Sequence, residues 1–395
     1  MMETMTRAEQ EILLDRRIED LLSDDDRRRF AGRVCLITGA GGSVGSELAQ
    51  QIAACGPARL VLVDHSEHAL FQVEQRLSLI APPAVIETVL CDVTRTVSVS
   101  RLLRRVRPDM VFHAAAYKHV TMAERHAVAA SRVNVLGTLS VLSAAREVGA
   151  RFIFISSDKA AAPSSVMGAT KRFAELAALA SADPDTRPIV VRFGNVLASS
   201  GSFVEVMRDR IRQRLPVLVT DPAATRFFMA VAEAASLVMK ASLIAEGGET
   251  FWLDMGPQIR IGDLVDRLMR VGSEQGFAPV PVHVIGLRPG EKLQEQLASQ
   301  GISLNRTIDP RIWVARQPRA MAATRYALAM HTLRHAVSRD EASVVLSALT
   351  TAVSEFVPSA FARETAQQTD AQAAAWPRRS ARLRNAAPHT RSRAA

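Results

Sequence analysis

The chain has 395 residues, 48% of them apolar and 23% charged, with a mean hydropathy of +0.07 and a formal net charge of +9. These values exclude a disordered chain, a collagen-like chain and a disulfide scaffold, and leave room for one large domain or two. No stretch offers the roughly eighteen unbroken apolar residues of a transmembrane helix, and the charged start MMETMTRAEQEILLDRR lacks the apolar core of a signal peptide.

Residues 1–31 read as a charged lead-in with a short helix around Ile18-Glu-Asp-Leu-Leu22. From Val34 onward, short apolar runs alternate with helix-length segments. The predicted strands are Val34–Thr38, Leu60–Val63, Val85–Leu90, Met110–His113, Phe152–Ser156 and Ile189–Phe193, and the helices between them include Ser46–Cys55, Ala69–Ile80 and Ala129–Val148. Such alternation predicts an α/β fold, a Rossmann-type doubly wound parallel sheet over residues 32–195, with strands apolar throughout because both faces are buried. After Asn195, loops rich in Gly and Pro separate shorter elements, which predicts a smaller substrate-binding subdomain over 196–357.

From Pro358 the sequence turns Ala/Gln/Arg-rich without an apolar period, so 358–395 is expected to be a disordered basic tail. Residues 376–395 carry six arginines and no acid; without them the chain holds 43 basic and 40 acidic residues. The charge therefore belongs to the tail. Such a tail could touch an anionic membrane surface, but the simpler expectation is a solvated terminus with no nucleic-acid partner. Cys35, Cys55 and Cys91 are scattered without metal-ligand spacing, which predicts reduced thiols, no metal and a cytoplasmic protein.

The first chemical signal is Val34-Cys-Leu-Ile-Thr-Gly39-Ala-Gly-Gly42-Ser-Val-Gly45, an apolar strand running through a glycine turn into a helix. Gly39 permits the turn, Gly42 a close backbone approach to a pyrophosphate, and Gly45 close packing of helix on strand. The amides of Ser43 and Val44 then point from the helix N-terminus at the phosphates. Asp64 ends the second strand 25 residues after Gly39, where a carboxylate accepts ribose hydroxyls; the next residue is His65 and not an arginine, which favours NAD over NADP. Asp92 and Val93 after the third strand are expected beside the adenine, and Ala114 and Ala115 along the cofactor cleft.

A second constellation follows the fifth strand: Ser156-Ser157-Asp158-Lys159, then Ser165-Val-Met167-Gly-Ala-Thr170-Lys171. Polar side chains at the C-terminal end of a parallel strand open into the ligand crevice. Met167 and Lys171 are four residues apart and share one helical face.

These segments resemble the extended short-chain dehydrogenase/reductases, and within them the bacterial polysaccharide-biosynthesis nucleotide-sugar 4,6-dehydratases. The resemblance runs through seven motifs in order, from Thr38-Gly-Ala-Gly-Gly-Ser-Val-Gly45 and His113-Ala-Ala-Ala-Tyr-Lys-His119 through Ser157-Asp-Lys-Ala160, Met167-Gly-Ala-Thr-Lys171, Arg192-Phe-Gly-Asn-Val196 and Thr225-Arg-Phe-Phe228 to Gly286-Leu-Arg-Pro-Gly-Glu-Lys292. Ile18–Leu22 resembles the junction preceding this domain in longer, membrane-anchored relatives. The position four residues before Lys171, where the superfamily usually carries tyrosine, is Met167; this resembles the configuration-retaining UDP-N-acetylglucosamine 4,6-dehydratases.

The resemblance implies a homo-oligomer that uses NAD and a UDP-sugar. The reactive centre would then work as follows. Ser157 orients the C4 hydroxyl, and Asp158 accepts its proton and later protonates the leaving C6 hydroxyl. Lys159 removes the C5 proton, its pKa depressed by burial and by neighbouring Lys171. Lys171 holds the nicotinamide ribose. For the substrate it implies Asn195, Arg226 and Arg288 at the diphosphate, Glu291 at the uridine ribose and Lys118 near the sugar. Two other readings are a UDP-hexose 4-epimerase on the same scaffold and a non-catalytic NAD-binding sensor.

Overall fold

The computed structural model describes residues 5–82, 85–180, 188–197, 199–296, 302–315 and 322–375. Six parallel strands form its centre: β1 Val34–Thr38, β2 Arg59–Asp64, β3 Ile86–Leu90, β4 Met110–His113, β5 Arg151–Ile155 and β6 Ile189–Arg192. They lie in the order β3-β2-β1-β4-β5-β6, so the chain reverses direction across the sheet between β1 and β4. That switch point, where the strand tips diverge, is where such sheets hold ligands. The register sets Thr38 opposite Val63 on one side and His113 on the other.

Alternation along the strands divides the core in two. Cys35, Ile37, Leu60, Leu62, Met110, Phe112, Ile153 and Ile155 face one layer of helices. Leu36, Val61, Val63, Val111, Phe152 and Phe154 face the other. Each layer is apolar because helices cover both faces, as the unbroken apolar runs predicted. The helical stretch 127–147, expected as one helix, contains a π-helical turn at Arg132–Gly137. It is long and apolar enough to cross a membrane, but most of it is buried in the fold.

Three expectations need correction. Ile18–Leu22 is not helical; the helices are Arg7–Leu14 and Asp24–Phe30 on either side, each opened by a capping box, Thr6 with Glu9 and Ser23 with Asp26. The linking run is a packed strap, with Ile18 and Leu22 buried. The second correction concerns the boundary at 195/196, because Thr250–Leu253 pairs with β6 in parallel and Ile312–Ala315 pairs antiparallel with Thr250–Leu253. The chain thus returns to the main sheet, and only interspersed segments build the smaller lobe: helices Phe203–Arg212 and Ile261–Glu274 and the paired strands Val217–Val219 and Val282–Val284.

The third correction is the C-terminus. Residues 360–375 form a helix, which Ser359 caps by accepting from the Ala362 amide at 3.0 Å. Its buried positions are Ala362 and Ala366, and Asp370 caps the neighbouring helix Ala342–Ala352 by accepting from the amides of Ala342 and Ser343. An alanine stripe packs closely without registering as a hydropathy period. With helices Ala323–Arg339 and Ala342–Ala352 it covers the outer face of helix Val166–Ala180. Residues 376–395, the arginine-rich part of the expected tail, lie outside the described residues.

Candidate active site

Gly39 has φ +67°, and a Cβ on it would stand 2.6 Å from the Ala115 amide nitrogen at the tip of β4. A Cβ on Gly45 would stand 2.1 Å from the Gly39 carbonyl oxygen. Both positions therefore require glycine, and the helix Ser43–Ala54 starts against the strand tip. Gly42 caps that helix without a side-chain hydrogen bond, so its first amides face the cleft unclaimed by a side chain.

Asp64 ends β2, where it accepts from the Gly41 amide at 2.9 Å and the Ser66 amide at 3.0 Å. It thus braces the glycine turn. Asp92 is exposed and turns back to accept from the Thr94 amide, while Val93 is buried against Gly137. A cavity of about 970 Å³ runs along the strand tips, walled by Gly39, Gly42, Ser43, Val44, Gly45 and Ala114 at this end. Asp64, Asp92, Val93 and Ala115 stand outside its wall.

The opposite wall carries the second constellation. Beyond β5, Ser156, Ser157, Lys159, Met167 and Lys171 line the cavity, and the Ser156 hydroxyl donates to Glu175 at 2.6 Å. Residues 158–160 form a 3-10 turn in which the Ser157 hydroxyl donates to Asp158 Oδ1 at 2.9 Å. Lys159 Nζ donates to the same oxygen at 3.0 Å and to Asn195 Oδ1 at 3.1 Å. Asp158 is 1% exposed and sits behind the wall, and its Oδ2 has no hydrogen-bond partner among the described residues. Ser157 and Lys159 are its two connections to the cavity side.

The expected depression of the Lys159 pKa by Lys171 is not found. Burial does pull the ammonium down, but Asp158 and then Glu295 more than offset it, so Lys159 lies above the ordinary lysine value. Burial lowers Lys171 to about 7 against the opposing pull of Glu175, and it also lowers Lys118 and Lys292. Lys171 Nζ donates to the Ile155 carbonyl at 2.6 Å and lies 4.2 Å from the centre of the Phe154 ring. His113 is wholly buried between Thr38 and Thr138, and burial with the nearby Lys171 lowers it to about 3. A neutral imidazole fixed by two hydroxyls is a packing group.

The residues expected around a nucleotide sugar converge only in part. Lys118, Asn195, Arg226, Arg288 and Glu291 all line the cavity. Arg226, however, spends its guanidinium on carbonyls, donating to Thr225 at 2.8 Å, Lys292 at 2.7 Å and Leu293 at 3.1 Å. It anchors the 288–295 loop, which corrects its expected place as a free phosphate clamp. Asn195 is likewise turned to Lys159. Glu291 accepts from the Arg288 amide, leaving the exposed Arg288 side chain as the available guanidinium, and Lys118 donates to the Ser200 carbonyl at 2.7 Å.

Three contributors escape sequence reasoning. Glu295 is buried at the cavity wall 3.8 Å from Lys159 Nζ. Asn134, inside the π-helical turn, bonds both backbone groups of Tyr117 and the Thr170 hydroxyl, joining the β4 loop to the helix of Lys171. Ser200 reaches back to Ser43, its amide donating to that hydroxyl at 3.0 Å. Only Glu295 had a sequence signal, its position just behind the Arg288-Pro-Gly-Glu291 motif.

The profile of the family described as polysaccharide biosynthesis protein matches residues 35–317. The chain belongs to this family. It is 38% identical over 295 residues to the capsular polysaccharide biosynthesis protein CapD of Staphylococcus aureus, a match covering 72% of this chain and 49% of CapD. The chain spans about half the length of such curated relatives. It is also 32% identical over 281 residues to a UDP-glucose 4-epimerase of Rickettsia canadensis, covering 68% of this chain and 79% of that one. Among solved structures, Pen from Bacillus thuringiensis matches with a TM-score of 0.69 and 29% identity over 74% of this chain and 92% of Pen. A double mutant of the dTDP-glucose 4,6-dehydratase DesIV from Streptomyces venezuelae, solved with NAD bound, matches with a TM-score of 0.60 and 21% identity over 67% of this chain and 88% of that one. At that identity the likeness is one of fold.

Proposed function

We propose that this family member is a nucleotide-sugar-modifying enzyme of polysaccharide synthesis, and that its reaction is the NAD-dependent 4,6-dehydration of a UDP-N-acetylhexosamine, UDP-N-acetylglucosamine first among them. The observation that carries the reading is the Ser157–Asp158–Lys159 cluster opening on the cavity whose other end is the glycine turn, with Met167 where a phenol would stand. The dinucleotide fits on local grounds. The turn at Gly39 has no room for a Cβ, the helix amides are uncapped, and Asp64 stands beside the turn with a carboxylate that favours an unphosphorylated ribose. When bound, NAD takes hydride from C4 of the sugar and returns it to C6.

The side chains supply the proton traffic. Met167 cannot exchange a proton, so the C4 hydroxyl loses its proton through Ser157 to Asp158, along the 2.9 Å bond that joins them. Neutralising Asp158 removes the larger of the two carboxylate charges that favour the Lys159 ammonium, Glu295 being the other. Lys159 then sheds its proton to solvent in the cavity and takes the C5 proton as an amine. The carboxylic acid of Asp158 protonates the departing C6 hydroxyl, which leaves as water, and Lys159 returns its proton to C5. Lys171 would hold the cofactor's ribose, and the exposed Arg288 would meet the substrate diphosphate. The active form carries one proton fewer than the resting ion pair, so turnover rises with pH through the Lys159 ionisation.

Likeness to UDP-glucose 4-epimerases favours a second reading on the same scaffold. Incubating the purified chain with UDP-N-acetylglucosamine in deuterated water separates the two. The dehydratase gives a product lighter by one water and deuterated at C5, and Asp158→Asn or Lys159→Ala suppresses it. A product of unchanged mass establishes the epimerase.

A further inference from the structure

The loop that carries Arg288 and Glu291 continues to Glu295, a carboxylate only 7% exposed. Its Oε1 stands 3.8 Å from Lys159 Nζ and 3.9 Å from Arg226 Nε, and it forms part of the cavity wall. Lys159 is thus approached by carboxylates from two sides. Asp158 comes from its own turn at the tip of β5, and Glu295 comes from a loop 136 residues further along the chain. The remaining polar and charged groups around this ammonium are the neutral Asn195 amide beyond β6, the Arg226 guanidinium and Lys292 of the same loop.

The loop's seat does not depend on the Glu295 side chain. Arg226 holds the carbonyls of Lys292 and Leu293, the Thr225 amide donates to the Leu293 carbonyl at 2.9 Å, and Gln258 donates to the Glu295 backbone carbonyl at 2.8 Å. With the backbone pinned independently, the buried carboxylate faces Lys159 and Arg226 and also acts on the Lys292 charge. An isolated buried carboxylate is costly, so its position is stabilised by those charges and in turn favours the ammonium.

We propose that Glu295 is a positioning residue that holds the Lys159 ammonium from the substrate side of the cavity, so that the charge state of Lys159 depends on how the 288–295 loop is seated. The kinetic consequence rests on the dehydratase reading above; the electrostatic coupling does not. With Lys292, Leu293 and Glu295 held by their backbone carbonyls, the carboxylate stays beside Lys159 and sets the ease with which Lys159 becomes an amine.

The test reads Lys159 directly in the full chain. Trace acetylation with acetic anhydride across a pH series, with the labelled peptides quantified by mass spectrometry, gives the midpoint of each lysine. Removing a facing carboxylate lowers a lysine midpoint, so Glu295→Gln moves Lys159 down by ~1 unit or more, while Glu295→Asp keeps most of the wild-type value. Lys171 in the same samples keeps its midpoint, which shows that the variant is folded. On UDP-N-acetylglucosamine the acidic limb of the turnover profile moves the same way. An unchanged Lys159 midpoint in Glu295→Gln, with Lys171 also unchanged, overturns the proposal. Wild-type protein that labels as expected but releases no dehydrated product overturns the dehydratase reading and leaves the coupling standing.

Discussion

Burying a charge without a counter-ion is among the largest penalties a single side chain can impose, and Lys171 bears it. Glu175 is engaged by Ser156, Arg172 and Arg192, so it gives Lys171 only a distant pull. With a folded value of about 7 against the ordinary 10.5, the cost is full below pH 7 and is relieved as the pH rises toward 10.5, because there the unfolded chain binds the extra proton. Lys171→Met therefore raises the thermal midpoint at pH 7, with a gain that shrinks by pH 10, while turnover falls by ~10²-fold or more. Thermal scans at the two pH values and a product assay check both halves. The sequence placed Lys171 on one face with Met167, but the assignment of the low pKa between Lys159 and Lys171 required the neighbours of each.

At the scale of elements, helix Val166–Ala180 is held from both sides. Its inner face meets the sheet through Ala174 and Ala178, and its outer face meets the C-terminal helices through Val166, Ala169 and Phe173. Two polar ties reinforce that outer contact, Glu124 joining the Val166 amide to the Ser359 hydroxyl and Arg172 pairing with Glu355, while Arg132 ties the π-helical turn to Asp340. Phe356 is 1% exposed in the same cluster. Phe356→Ala costs ~3–5 kcal/mol from lost burial and the cavity left behind, read as a lower urea midpoint. The strands and glycine turn were legible because each obeys a local rule, apolar runs for strands buried on both faces and small residues at forced approaches. Helix Ala360–Ala375 was not, because an alanine face is attractive only when a partner surface is already in place.

For the whole molecule, the basic excess is concentrated in the last twenty residues of the sequence. Residues 376–395 carry six arginines and no acid, and the described residues that line the cavity all precede them. A chain ending at Ala375 should keep its turnover within about two-fold and lose salt-sensitive binding to vesicles of anionic lipid, each Arg near such a surface being worth ~1 kcal/mol. A turnover assay and vesicle sedimentation at two salt concentrations measure both outcomes.

The sequence by itself determined the strand succession, the glycine turn with its bracing aspartate, and the residue types that gather at the tips of β5 and β6. All of these follow from short-range patterning, where period, spacing and steric need can be read within a few residues. The tertiary structure alone decided that Asp158 lies behind Ser157, that Arg226 bonds the carbonyls of the 288–295 loop, and that burial lowers the Lys171 pKa while Asp158 and Glu295 raise that of Lys159. Hydrogen-bond partners and proton affinities depend on desolvation and on charges from distant segments, and Glu295 comes within reach of Lys159 only when the chain has folded.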